Sequence, residues 1–135
     1  VEPARAQVLV TSEIPGLQAK GTFHLDKGYY YFRNVGNRIL FGGGRNLDFQ
    51  AENTFELDQT PLIQDALEQL LRENILPETS FSIDYRWSGT MGVGSEKGPI
   101  IRKVDTNTAV GVRLGGMGVA IGSLIGEKLA HLLND

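Results

Sequence analysis

The chain of 135 residues contains no cysteine, which excludes a disulfide framework, a thiol nucleophile and a zinc–thiolate site. Histidine is almost missing too. His24 and His131 stand alone, and an imidazole metal site needs ligands in clusters, so no metal is expected. A long apolar run is lacking: the most apolar window, Ala109–Leu133, is broken by Arg113, Glu127, Lys128 and six glycines, which excludes a membrane span. Positive charge is not in excess. Thirteen Lys and Arg against sixteen Asp and Glu leave a net charge of −3, which offers no electrostatic footprint for nucleic acid. No signal-peptide pattern opens the chain, and we expect a cytoplasmic protein.

What is present describes an ordinary globular domain, 41 % hydrophobic and 21 % charged, able to bury a modest core. The opening Val1-Glu-Pro-Ala-Arg5 runs almost at once into the strand-like Gln7–Thr11. Either a cleaved targeting segment or excision from a longer polypeptide accounts for that start.

Gln7–Thr11 ends at the turn signal Ile14-Pro15-Gly16, and Gly21–Leu25 is a short second strand. Asp26-Lys27-Gly28 turns the chain into the aromatic Tyr29–Arg33, and Val35-Gly36-Asn37 connects it to Arg38–Gly42 as a hairpin. Gly43–Phe55 reads as a polar loop. Thr60 is a helix N-cap followed by Pro61 at the first helical position, and Leu62, Ile63, Ala66, Leu67, Leu70 and Leu71 repeat at helical spacing. This predicts an amphipathic helix over 61–74. Phe81, Ile83, Tyr85 and Trp87 alternate with polar residues as in a half-buried strand, and Ser88–Gly98 reads as a flexible loop. Pro99–Val104 and Thr108–Val112 form a hairpin across Asp105-Thr106-Asn107, and a last helix runs from about Gly118 to Leu133. The predicted fold class is α+β: an antiparallel sheet with one amphipathic helix and a glycine-started helix at the C-terminal end.

Several chemistries are incomplete here. A dinucleotide fingerprint needs Gly-x-Gly-x-x-Gly, but Gly116 and Gly118 are followed by Ile121, and Gly42 and Gly44 by Leu47. No Gly-Lys-Ser or Gly-Lys-Thr occurs. Asp48, Glu52, Glu56 and Asp58 lie in the polar loop and are read as solvated surface rather than an acid–base pair. Ser95 and Ser123 have no histidine or acid at a recognisable spacing.

The terminal segment carries the strongest signal. Gly115-Gly116-Met117-Gly118 opens a helix whose first N–H groups lack intrahelical acceptors, an arrangement suited to negative charge. Gly118, Gly122, Gly126 and Ala130 fall four residues apart as a stripe of small side chains. Each interior glycine costs a helix roughly 0.8–1 kcal/mol relative to alanine. Such a stripe suits the close approach of another backbone or of a flat ligand.

Three segments, taken together and in order, resemble the C-terminal part of D-amino-acid-oxidase-like FAD-dependent oxidoreductases, the group of glycine and sarcosine oxidases. They are Tyr29–Arg33 with Ile39-Leu-Phe-Gly-Gly-Gly-Arg45, Trp87-Ser-Gly-Thr-Met91 with Gly98-Pro-Ile-Ile101, and the Gly115–Gly118 helix start. The resemblance covers nearly the whole chain. It implies that residues 1–135 are a C-terminal fragment, most of a substrate-binding domain plus a final flavin-contacting helix over about 113–135, with the N-terminal Rossmann segment absent. It further implies FAD as cofactor and hydride transfer from an amine or amino-acid-like small molecule. Gly115, Gly116, Met117, Gly118 and Val119 then contact the cofactor, and Tyr29, Tyr31, Arg45, Trp87 and Met91 are substrate-side candidates. Alternation along a strand puts Tyr29 and Tyr31 on one face and Tyr30 on the other. One departure stands out: members of this group often carry an arginine shortly after the Trp–Gly pair, where this chain has Thr90, Met91 and Gly92. The partners expected are a small-molecule substrate, the missing FAD-binding domain and, for the fragment, a second copy of itself. The alternative from another class is a self-contained small-molecule binding or protein-interaction domain without catalytic activity.

Overall fold

A computed structural model describes residues 1–134; Asp135, included in the expected last helix, lies outside the described residues. The chain forms two compact units, Arg5–Thr90 and Val1–Ala4 with Met91–Asp135. The strands are β1 (Glu2–Thr11), β2 (Thr22–Leu25), β3 (Tyr30–Val35), β4 (Arg38–Gly43), β5 (Ile83–Val93), β6 (Ile100–Lys103) and β7 (Ala109–Val112); the helices are α1 (Pro61–Leu70) and α2 (Gly118–Asn134). The result is the expected α+β class, a five-stranded antiparallel sheet in the order β2-β3-β4-β1-β5 and a separate β6–β7 pair.

Within Arg5–Thr90 the β3–β4 hairpin closes as read, with Val35 opposite Arg38 and Gly36 at positive φ in a two-residue connection. One face of β3 and β4 carries Tyr30, Phe32, Ile39 and Phe41. With Leu9 of β1 they pack against Ile63, Leu67 and Leu71 in a single core. Complete burial of such side chains contributes about 1.5–3 kcal/mol each, which is what holds α1 to the sheet.

The helix has the expected length but not a uniform pitch. After Leu70 it widens into one π-type turn, Leu71–Ile75, in which the Leu76 N–H donates to the Leu71 carbonyl at 2.8 Å. The wider turn lets Leu71 and Leu76, five positions apart, both reach the core. The Thr60 cap also differs from expectation. Its hydroxyl accepts from Gln7 Nε2 at 3.0 Å, and no helical N–H takes it.

Residues 88–98 are a loop only in their second half. β5 continues through Val93 despite two glycines, but the expected half-buried alternation does not appear: Tyr85 and Trp87 are exposed, while Ile83 and Ser88 are half-buried. In the other unit, β6 and β7 pair with Ile100 opposite Val112. The Asp105 carboxylate accepts the Asn107 backbone N–H at 2.8 Å across the turn, which holds its carboxyl below the usual range. α2 lies on this hairpin, and the residue that lets it come close is Gly111. A Cβ there would stand 2.6 Å from Ile125 Cγ2 and 2.9 Å from Leu129 Cδ1. The expected small-residue stripe is not the packing face: a Cβ on Gly122 or Gly126 would meet nothing within 4 Å.

Candidate functional site

In the sheet unit, the candidate side chains gather where β3 begins and β4 ends. Gly43 has φ +125°, and a Cβ on it would lie 2.1 Å from the Tyr29 carbonyl oxygen. Only glycine permits that approach. The Gly44 N–H then donates to the same carbonyl at 3.0 Å, which fixes Tyr29 against the exit of β4. Tyr29 itself has helical dihedrals (φ −68°, ψ −22°) in the turn before β3. Strand alternation therefore does not govern it, and its pairing with Tyr31 on one strand face does not hold. Tyr30 points into the core as expected. Tyr31 lies over Gly42 on the opposite face, where its Oη would be 2.7 Å from any Cβ at that position. Burial pushes the Tyr31 hydroxyl above its ordinary pKa.

Arg45 opens a short turn, Arg45–Leu47, immediately after left-handed Gly44. Its guanidinium lies over the Phe49 ring, 4.9 Å from the centroid, and Phe49 meets Tyr29 edge-on at 6.0 Å. Tyr29 and Arg45 are thus brought together through Phe49, a residue missed in the sequence because it sits in an aperiodic polar loop. Trp87, on β5, is 43 % exposed and has no aromatic partner among the described residues.

The loop's acids divide in an unexpected way. Glu52 is not solvated; it is 1 % exposed and receives Arg5 Nη2 at 2.7 Å and Arg5 Nε at 3.0 Å, with Arg5 itself 5 % exposed. Gln7 Nε2 adds a donor at 2.9 Å to the same carboxylate. Gln7 Oε1 accepts the Thr60 N–H and Gln64 Nε2, and Gln64 Oε1 accepts Arg86 Nη1 at 2.7 Å. The chain of bonds ends at Glu68, whose carboxyl Arg72 and then Arg86 hold below the usual range. Its contribution to stability is complete above the ordinary carboxylate range and is lost as pH falls through the lowered value. This is a structural anchor for the Gly44–Thr60 loop, not a catalytic pair.

In the other unit, the Gly115 N–H donates to the Gly92 carbonyl at 3.0 Å, so the glycine loop is tied to the end of β5. Gly115 and Gly116 both have positive φ, and Met91 Sδ would lie 3.1 Å from a Cβ on Gly116. Met91 and Gly116, drawn from two separate motifs, are therefore neighbours. The Met117 N–H is spent on the Leu114 carbonyl at 2.9 Å. Among the described residues, the N–H groups of Gly116, Gly118 and Val119 donate to no protein acceptor. Met117 is 55 % exposed and Val119 fully so. An open glycine loop with three unspent donors at a helix start fits the polar edge of a flat, electron-rich ring. Arg113, read in the sequence only as a break in the apolar window, braces the neighbouring loop from a left-handed backbone (φ 62°) by donating Nε to the Gly98 carbonyl at 2.7 Å.

Among known structures, the chain resembles iminodiacetate oxidase from Chelativorans sp. BNC1, with TM-score 0.70, 22 % identity, and coverage of 97 % of this chain and 35 % of that one. It also resembles L-amino acid deaminase from Proteus vulgaris lacking its specific insertion sequence, with TM-score 0.67, 22 % identity, and coverage of 97 % and 32 %. These likenesses show a shared fold, and the chain spans about a third of each of those proteins. No curated protein sequence matches it significantly. No helix among the described residues is long and apolar enough to cross a membrane. The family model described as DAO, FAD dependent oxidoreductase, matches residues 1–132, and the chain belongs to that family.

Proposed function

We propose that this chain is the C-terminal part of a flavoprotein that oxidises an amine or amino-acid-like small molecule, supplying substrate contacts and the last cofactor-contacting helix. The observation that carries this reading is the Gly115–Val119 loop, with its unspent donors, positive-φ glycines and exposed Met117 and Val119, in a chain of the FAD-dependent family. When bound, the flavin supplies the two-electron acceptor for a hydride from the carbon beside nitrogen. The N–H groups of Gly116, Gly118 and Val119 would hold negatively polarised acceptor atoms of such a ring, and the α2 dipole would add to them. A helix terminus contributes about 0.3–2 kcal/mol to such an interaction. Substrate contact falls to Tyr29, Tyr31, Arg45, Trp87 and Met91. Support for a longer parent protein comes from the coverage of the two similar structures and from α2, which leaves Val119, Leu124 and Leu133 exposed. Apolar surface left uncovered drives association where it gathers into patches, so the chain by itself is expected to self-associate.

The pyrophosphate- and adenosine-binding groups of a dinucleotide site belong to a Rossmann segment, and this chain has no complete fingerprint for one. Titrating the purified chain with FAD and following flavin fluorescence should therefore show weak binding or none. Micromolar or tighter binding would overturn the fragment reading and favour a self-contained binding module.

A further inference from the structure

We propose that Met91 is a reversible oxidation site whose sulfoxide closes the glycine loop, its new oxygen taking up the Gly116 N–H that the thioether leaves free. The consequence for cofactor binding rests on the flavin reading above, but the modification and the bond it forms do not.

The oxidisable sulfur of the chain is gathered in one place. There is no cysteine, and the two methionines, far apart in sequence, meet at the same loop. Met117 belongs to the loop itself. Met91 comes to it from near the end of β5, and its Sδ lies 3.1 Å from where a Cβ on Gly116 would stand. A small oxidant reaches both, because Met117 is 55 % exposed and Met91 is half-buried.

The donor beside Met91 is what sets it apart. The Gly115 N–H is spent on the Gly92 carbonyl at 3.0 Å and the Met117 N–H on the Leu114 carbonyl at 2.9 Å, while the Gly116 N–H between them donates to no protein acceptor among the described residues. A thioether sulfur is a weak acceptor, so it can lie against this donor and leave it unsatisfied. A sulfoxide oxygen is polar and a far better acceptor. Space for it exists: beyond the loop's adjacent residues, Met91 Sδ is the one atom within 4 Å of the place a Gly116 Cβ would take. The side chain is unbranched and flexible, so it can turn the oxygen inward without moving the backbone.

With hydrogen peroxide as oxidant the step balances. The O–O bond breaks, one oxygen joins Met91 Sδ, the sulfur gives up two electrons, and the other oxygen leaves as water. Methionine sulfoxide reductases reverse the change. In the longer flavoprotein the sulfoxide would compete, within the molecule, with the acceptor atoms of a bound ring.

Two variants separate the sulfurs. Met117→Leu leaves Met91 as the chain's one thioether, and Met91→Leu leaves Met117. Each 15N-labelled protein is treated with hydrogen peroxide, the added oxygen is located by peptide mass spectrometry, and the backbone amides are followed by NMR. In Met117→Leu, oxidation of Met91 should move the Gly116 amide signal downfield and slow its hydrogen exchange roughly three- to tenfold, the factor one net hydrogen bond supplies. Methionine sulfoxide reductase should restore both. In Met91→Leu, oxidation of Met117 should leave Gly116 in place. A Met91 that stays unoxidised in the folded chain while Met117 reacts would overturn the site. An oxidised Met91 with Gly116 unmoved, an equal Gly116 shift in both variants, or loss of the circular dichroism of the fold would overturn the closure. A Gly116 response accompanied by normal flavin loading of the oxidised longer protein would support the oxidation site and count against the flavin reading of the loop.

Discussion

Glu52→Ala should destabilise the sheet unit by about 3–5 kcal/mol, the range for removing one partner of a buried ion pair. Glu52 and Arg5 are 1 % and 5 % exposed, and the substitution leaves the Arg5 guanidinium buried without its two carboxylate bonds. Gln7 loses an acceptor at the same time. Much of the cost is the stranded charge rather than the lost attraction. The double variant Arg5→Met with Glu52→Leu, which removes both charges and retains apolar volume, should therefore recover most of the loss. Urea unfolding followed by circular dichroism measures both. A Glu52→Ala midpoint within experimental error of the parent would mean that the pair is hydrated and the loop is held by other contacts. The same variant should also raise the protease sensitivity of residues 44–60, since the Arg5 N–H bond to the Glu52 carbonyl would remain the main tie of that turn to β1.

In the longer flavoprotein proposed above, Gly118→Val should lower bound flavin roughly tenfold or more while the fold persists. The position discriminates well. Gly118 lacks the positive φ of Gly115 and Gly116, and a Cβ on it would lie 3.4 Å from Leu114 Cδ1, a contact the leucine can accommodate. The backbone thus accepts a side chain, while the added branches crowd the donor edge at the start of α2. An overpacked contact of this kind costs about 1–3 kcal/mol, enough for a loss of that order. Flavin absorbance per protein, with unfolding midpoint as the control, reads the effect. Lys97→Ala, in the exposed loop after β5, should leave flavin content unchanged. Normal flavin loading and reduction kinetics in the Gly118→Val protein would reduce the glycine loop to a packing element and remove the cofactor assignment.

Local pattern was enough for most of the architecture. Tyr30–Val35 and Arg38–Gly43 pair as their β-rich composition and two-residue connection require, and Pro61 with the leucine spacing marks α1. These elements are legible because strand alternation, helical spacing and turn chemistry are properties of neighbouring residues. The family, too, was legible from three ordered glycine-containing segments. The chemistry around Glu52 was not. Its neighbours in sequence are polar, and its partners Arg5 and Gln7 lie 47 and 45 residues away, so nothing local distinguishes it from Asp48 or Glu56. The same holds for Phe49, whose importance comes from the Arg45 and Tyr29 groups it touches.

By itself, then, the sequence determined the element order, the α+β class and the glycine positions at which the backbone bends. Only the tertiary structure decided which glycine serves close packing, placing that role at Gly111 under Ile125 and Leu129 and leaving Gly122 and Gly126 bare. It also decided which acid is buried and which tyrosine leaves the strand. Burial and non-local hydrogen bonding depend on what the fold brings from elsewhere in the chain, and a run of neighbouring residues carries no record of that.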